Sequence, residues 1–272
     1  MLDKDTLLLT TLVFLMMTCI TTTENVEGQD LEGVSRELVW SDEFDYKGLP
    51  DSTKWGYDVG YIANNEKQYY TESRLENARV EDGRLVITAI KEDWEGFDYT
   101  SARLVTRGKE TWTYGRFEAR AKVPTGRGTW AAIWTLGANI SEVGWPESGE
   151  IDIMEYVGYD PDKVHGYVHT EAYNHTIGTD KGSSYTLERP WEEFHVYAVE
   201  WYDDRIDFFV DDVKYFTFEK ESSDNDVWPF DKPHYLILNL AIGGNWGGTE
   251  GIDNTLFPHR FEVDYVRVYQ RK

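Results

Sequence analysis

The run Phe194-His195-Val196-Tyr197-Ala198-Val199-Glu200-Trp201-Tyr202-Asp203-Asp204-Arg205-Ile206-Asp207-Phe208-Phe209-Val210-Asp211-Asp212-Val213-Lys214-Tyr215-Phe216-Thr217-Phe218 decides the fold class. Its apolar residues follow the two-residue period of strands rather than the three-to-four spacing of a helix. Asp203-Asp204 and Asp211-Asp212 interrupt it where aspartates favour turns, so the segment reads as a three-strand meander. Working outward, the same period recurs in Arg84–Lys91, Ser101–Arg107, Tyr114–Val123, Ala131–Leu136, Ile151–Val157, Val164–Thr170, Tyr235–Ile242 and Arg260–Tyr269. No segment keeps a helical apolar stripe for four turns. About ten strands with short polar turns and no alternating helices predict an all-β sandwich or jelly roll, in one domain from Arg36 onward.

The 272 residues carry 50 Asp plus Glu against 27 Lys plus Arg, a net charge of −23 that repels phosphate backbones and excludes nucleic acid as a partner. Eleven Trp and 18 Tyr exceed what a core needs and offer flat faces for neutral ligands such as sugars. The single cysteine, Cys19, rules out disulfides, a thiol nucleophile and thiolate metal sites in the rest of the chain. Leu7 to Ile20 is apolar apart from threonines and too short to span a bilayer, so residues 1–24 are expected to be a signal peptide or a lipoprotein signal. Residues 25–35 are polar and acidic and read as a linker. The mature protein is expected to be exported, without a transmembrane span: secreted, periplasmic, or lipid-anchored through Cys19.

Trp145-Pro146-Glu147-Ser148-Gly149-Glu150-Ile151-Asp152-Ile153-Met154-Glu155-Tyr156-Val157-Gly158 carries the chemistry. On a strand, Glu150 and Asp152 share a face while Ile151 and Ile153 point to the opposite layer. Glu155 breaks this parity and would face the apolar layer, where an unpaired ionised carboxylate costs several kcal/mol. One extra residue at Ile153-Met154, a β-bulge, returns it to the Glu150 face, and bulges are over-represented beside active sites. Three carboxylates in one row repel one another and must raise at least one pKa. A pair of glutamates acting as nucleophile and proton donor, tuned by Asp152, accounts for such a row. A solvated acidic face or a carboxylate-built calcium site would use the same residue types, although a solvated face would not need the bulge.

Glu150-Ile151-Asp152-Ile153-Met154-Glu155 resembles the bulged E-x-D-x-x-E signature of glycoside hydrolase family 16, in the form typical of laminarinases, the endo-acting β-1,3-glucanases. Trp40-Ser41-Asp42-Glu43-Phe44, Asn64-Asn65-Glu66-Lys67-Gln68-Tyr69-Tyr70-Thr71, Gly115-Arg116-Phe117-Glu118-Ala119-Arg120, Trp130 with Trp134, Leu238-Asn239-Leu240-Ala241-Ile242-Gly243-Gly244-Asn245-Trp246 and Val263-Asp264-Tyr265-Val266-Arg267-Val268-Tyr269 resemble the same enzymes in the same order. The likeness covers nearly the whole chain from residue 36, with marine bacterial laminarinases the nearest in kind.

The resemblance implies that residues 36–272 form a catalytic domain, a jelly-roll β-sandwich of two curved antiparallel sheets with a concave substrate cleft. It implies a retaining mechanism with Glu150 as nucleophile, Glu155 as acid/base and Asp152 orienting Glu150. Asn64 and Arg103 match polar clamps on donor-side sugars, Trp130 and Trp134 match stacking platforms, His169 matches a cleft histidine near the acid/base, and Asn239 and Trp246 complete the substrate contacts. It also implies no cofactor for catalysis but a structural calcium on the convex side, at Glu43 and Gly83 through carbonyl oxygens and Asp264 through its carboxylate. The partner expected is a neutral β-glucan, and the chain is expected to be a monomer. Two rival classes share the sandwich: a sugar-binding module, which has no use for the acidic row, and a sister enzyme on agar, carrageenan or mixed-linkage glucan. Asn139-Ile140-Ser141 and Asn174-His175-Thr176 fit glycosylation acceptors.

Overall fold

The computed structural model describes residues 35–272, so the expectations placed on residues 1–24, on Cys19 and on most of the 25–35 linker lie outside the described residues. In chain order the strands are β1 (Arg36–Asp42), β2 (Gly56–Tyr57), β3 (Gln68–Tyr70), β4 (Ala78–Glu81), β5 (Arg84–Trp94), β6 (Phe97–Ser101), β7 (Arg103–Val105) and β8 (Gly115–Lys122). They continue as β9 (Thr129–Gly137), β10 (Glu150–Val157), β11 (Lys163–His169), β12 (Lys181–Thr186), β13 (His195–Trp201), β14 (Arg205–Val210), β15 (Val213–Glu219), β16 (His234–Ile242) and β17 (His259–Arg271). Among the described residues the one α-helix is a single turn, α1 (Ile140–Val143).

The strands form two sheets. A ten-stranded sheet runs β15-β14-β13-β8-β17-β5-β6-β3, with β1 added to β17 and β4 to β5. A seven-stranded sheet runs β12-β11-β10-β9-β16-β7-β2. All pairs are antiparallel except β3 with β6. This is the expected all-β sandwich, and the meander is present as β13, β14 and β15 in register.

Sequence pattern explains which faces meet. On β8, Phe117, Ala119 and Ala121 are buried in the core while Arg116, Glu118, Arg120 and Lys122 alternate outward. β16 is buried throughout, as a central strand should be. Leu236, Leu238, Leu240 and Ile242 enter the main core, whereas Tyr235 and Ile237 join a smaller cluster with Val105 and Leu136 on the other face. Trp55, Trp201 and Trp228 are among the largest fully buried side chains, each removing apolar area worth about 25 cal/mol per Å² from water.

Two expectations need correction. Ser101–Arg107 is not one strand: it splits at Ala102, with β6 in the ten-stranded sheet and β7 in the seven-stranded one. The tryptophan surplus is partly core, since Trp55, Trp112, Trp201 and Trp228 are buried.

Candidate active site

A cleft with a cavity volume of ≈ 480 Å³ crosses the outer face of the seven-stranded sheet. Its floor comes from side chains that alternate away from the core on β7, β9, β10 and β16. Glu150, Asp152, Glu155, Asn64, Arg103, Trp130, Trp134 and Asn239 all line it, so the fold brings together residues spread over 176 positions of sequence.

The bulge is present. β10 pairs Asp152 with Trp134 and then Met154 with Ile133, so Ile153 is the extra residue against β9. The same shift appears against β11, where Asp152 faces Tyr167 and Glu155 faces His165. Ile153 and Met154 both enter the core, and Glu155 returns to the cleft. Gly149 precedes the strand at φ +80°, where a Cβ would meet Pro229 Cγ at 2.8 Å; only glycine makes this entry without strain.

Each carboxylate has its own neighbours. Trp145 Nε1 donates to Glu150 Oε2 at 2.9 Å. Trp130 Nε1 donates to Glu155 Oε1 at 3.0 Å. Asp152 sits within hydrogen-bonding reach of Glu150, and its Oδ2 lies 3.2 Å from His169 Nε2. Burial, reinforced by the charge of Asp152, pushes Glu150 up to about 8. Burial first, and then the charge of Glu150, push Glu155 up to about 7, against the lowering effects of His169 and Trp130. Asp152 is raised well above the usual carboxylate range, again chiefly by burial and then by Glu155. The three therefore titrate as a coupled set, each raised above the usual carboxylate range. Glu155, with Oε1 engaged by Trp130, has Oε2 left to carry a proton toward a leaving group.

Such a pair of acids on one cleft face can perform acid-assisted displacement at a sugar carbon. Comparison with known proteins agrees. A profile described as "Glycosyl hydrolases family 16" matches residues 65–267. The chain belongs to glycosyl hydrolase family 16. Over 243 residues it is 56% identical to a beta-glucanase of Rhodothermus marinus, covering 86% of this chain and 85% of that protein. It is 39% identical over 255 residues to a glucan endo-1,3-beta-glucosidase of Cryptopygus antarcticus, covering 85% of this chain and 90% of the relative. The X-ray structure of the laminarinase from Rhodothermus marinus superposes with a TM-score of 0.85 at 55% identity, covering 87% of this chain and 98% of that one. The jelly-roll architecture of this family is the one observed here.

Family membership also frames what sequence reading placed differently. His169 lies across from Glu150, 3.9 Å from its Oε1, and so sits at the Glu150 and Asp152 end of the row. The histidine across from Glu155 is His165, which sequence reading missed. Burial pushes His165 down to about 4, neither ring nitrogen has a partner, and the ring packs edge-on against Trp246 with centroids 4.9 Å apart. Its position on the cleft parity of β11, with Tyr167 and His169, was the available signal.

Trp130 and Trp134 are more constrained than free platforms. Arg103 lies over the Trp134 ring, 4.6 Å from its centroid, and Trp134 Nε1 donates to Asn239 Oδ1 at 2.7 Å. Arg103 is itself buried and ion-paired to Asp58 at 3.0 Å. Asn239 serves side chains rather than backbone, since its Nδ2 donates to Tyr70 Oη at 3.1 Å. Tyr70 in turn donates to buried Glu66, which also takes Gln68 Nε2 at 2.6 Å. Glu66 thus anchors a chain of bonds ending at Trp134, a role invisible without tertiary contacts. Trp246 packs edge-on against Trp130, 5.7 Å between ring centroids, and against Tyr167. Asn174 is buried with its amide donating to two backbone carbonyls, which removes it as a glycosylation acceptor.

Proposed function

We propose that this chain hydrolyses internal β-1,3-glucosidic bonds of laminarin-type glucans with retention of configuration. The observation that carries this is the bulged row on β10, which sets Glu150 and Glu155 on one cleft face in a family 16 fold. Glu150 attacks the anomeric carbon while Glu155 protonates the departing oxygen, giving a glycosyl-enzyme ester. Glu155, now ionised, takes a proton from water, which displaces Glu150. Asp152 lies within hydrogen-bonding reach of Glu150 and orients it toward the anomeric carbon. A non-catalytic sugar-binding module has no use for this arrangement.

The substrate follows from charge. A sulfated chain needs cations along its path, yet the cleft presents Glu150, Asp152, Glu155 and Glu66 against Arg103, which Asp58 already engages. A neutral glucan meets no such repulsion, and the names of the relatives point the same way. Purified protein should release reducing ends from laminarin, more slowly from mixed-linkage glucan and not from carrageenan. Carrageenan turnover comparable to laminarin overturns the substrate assignment.

The residues expected to hold calcium lie on the side of the fold away from the cleft. β17 pairs β5 through His259–Val263 and β1 through Val266–Arg271, so Asp264 lies where it changes partner, beside the end of β1 and the β4–β5 turn. Glu43 follows that end and Gly83 lies in that turn. The Glu43 carboxylate is engaged by Arg267 and one oxygen of Asp264 by Arg120. Two carbonyls and the second Asp264 oxygen remain, an all-oxygen donor set that suits Ca²⁺ when water completes it. The ion would tie β1 to the β4–β5 hairpin and would take no part in catalysis.

A further inference from the structure

We propose that Glu150, Asp152 and His169 also form a binding site for a divalent transition-metal ion, zinc above all, whose occupancy blocks hydrolysis. His169 Nε2 stands 3.2 Å from Asp152 Oδ2 and 3.9 Å from Glu150 Oε1. One ligand atom from each of the three lies within 4.8 Å of the others. A tetrahedral zinc with bonds of about 2.0–2.2 Å holds its ligand atoms roughly 3.3–3.6 Å apart, so the widest-spaced donors must close by roughly 1–1.5 Å around the ion.

The orientation of these atoms points to a ligand. Asp152 is 2% exposed and its Oδ2 has no hydrogen-bond partner. Trp145 holds Oε2 of Glu150, which leaves Oε1 turned toward His169. One imidazole with two carboxylates suits zinc, whereas Ca²⁺ and Mg²⁺ favour all-oxygen sites with more ligands. His175 lines the same cleft with its ring 5.2 Å from that of His169, and either it or water completes the fourth position. A doubly charged ion there also relieves the repulsion between two buried carboxylates.

The ion would sit on the oxygens that must face the anomeric carbon, so metal and glucan exclude each other. His169 Nδ1 has no acceptor, and without that outer partner the imidazole is a weaker ligand than in a structural zinc site. Binding is therefore reversible, a brake rather than a fixed component. The metal site needs only the three side chains, while its blocking of hydrolysis rests on the proposed role of Glu150.

The test is calorimetric titration of the purified chain with zinc chloride, in excess Mg²⁺ to occupy the acidic surface. One zinc per chain is expected, with the visible spectrum of tetrahedral coordination when Co²⁺ replaces zinc. His169→Gln and Glu150→Gln should each raise the half-saturating zinc concentration by about tenfold or more while both melt as folded proteins. In wild type, zinc should raise the apparent KM for laminarin and leave kcat unchanged. Zinc binding that survives both substitutions, disappears in Mg²⁺, or lowers kcat alone overturns the proposal. Because calorimetry reads the metal directly, failure of the glucanase reading would leave this result standing.

Discussion

Trp130 and Trp145 each hand one indole N–H to a glutamate of the row, Trp130 to Glu155 and Trp145 to Glu150. Glu155 has a pKa pushed up to about 7, mainly by burial, and so keeps its proton on the acid side of neutrality. Glu150, raised to about 8, and Glu155 titrate as a pair whose reactive form holds one proton, on Glu155, so activity should fall as pH rises past this range, because the leaving oxygen then finds no proton. Glu155→Gln removes this alkaline limb and should slow laminarin by about 10³-fold or more while sparing aryl glycosides with good leaving groups. Equal losses on both substrates would argue against the acid role. The raised pKa also acts on stability: the folded state holds the proton more tightly than the unfolded chain, so the contribution is present at low pH and lost as pH rises through about 7. Glu155→Gln should therefore melt at or above wild type at pH 8, with no such advantage at pH 4.

Strand β10 keeps its acidic row on one face because a bulge absorbs the one inserted residue. Deleting Met154 would leave Glu155 four positions after Glu150, still on the cleft face of a now regular strand. That variant should fold, lose about 2–5 kcal/mol for the missing core side chain, and keep measurable hydrolysis. Inserting an alanine after Met154 instead turns Glu155 toward the core, and activity should vanish together with much of the stability. Thermal melts and rates on both variants decide this; an active insertion variant would mean that parity does not place the acid. The parity argument made the bulge legible in sequence, just as two-residue periodicity made β13 to β15 legible. β12 was missed because Lys181, Gly182, Ser183 and Ser184 are partly exposed polar or small residues with no apolar face to read. The break at Ala102 was missed because both sides of it are buried, so no change of polarity marks the crossing between sheets. His165 gains its meaning from Glu155 on the neighbouring strand, and Glu66 from the bonds that run through Tyr70 to Asn239 and Trp134, which spacing along the chain does not encode.

At the scale of the molecule, one sandwich supplies both a dry core and a wet cleft, and the tryptophans are divided between them. Trp130, Trp134 and Trp145 line the cavity, while four others stay in the core. No helix among the described residues is long and apolar enough to cross a membrane. If calcium ties β1 to the β4–β5 hairpin, a chelator should lower the melting temperature yet leave the rate at low temperature nearly unchanged, by linkage of the ion to the folded state. Parallel loss of rate with the fold intact would contradict a structural role. The central claim is that Glu150 forms a covalent intermediate which water opens from the face that the leaving group vacated. Proton NMR of laminarin digestion, read before mutarotation, tests this most directly. The newly released reducing ends should be β; α ends would mean a single inverting displacement and a different assignment of the two glutamates.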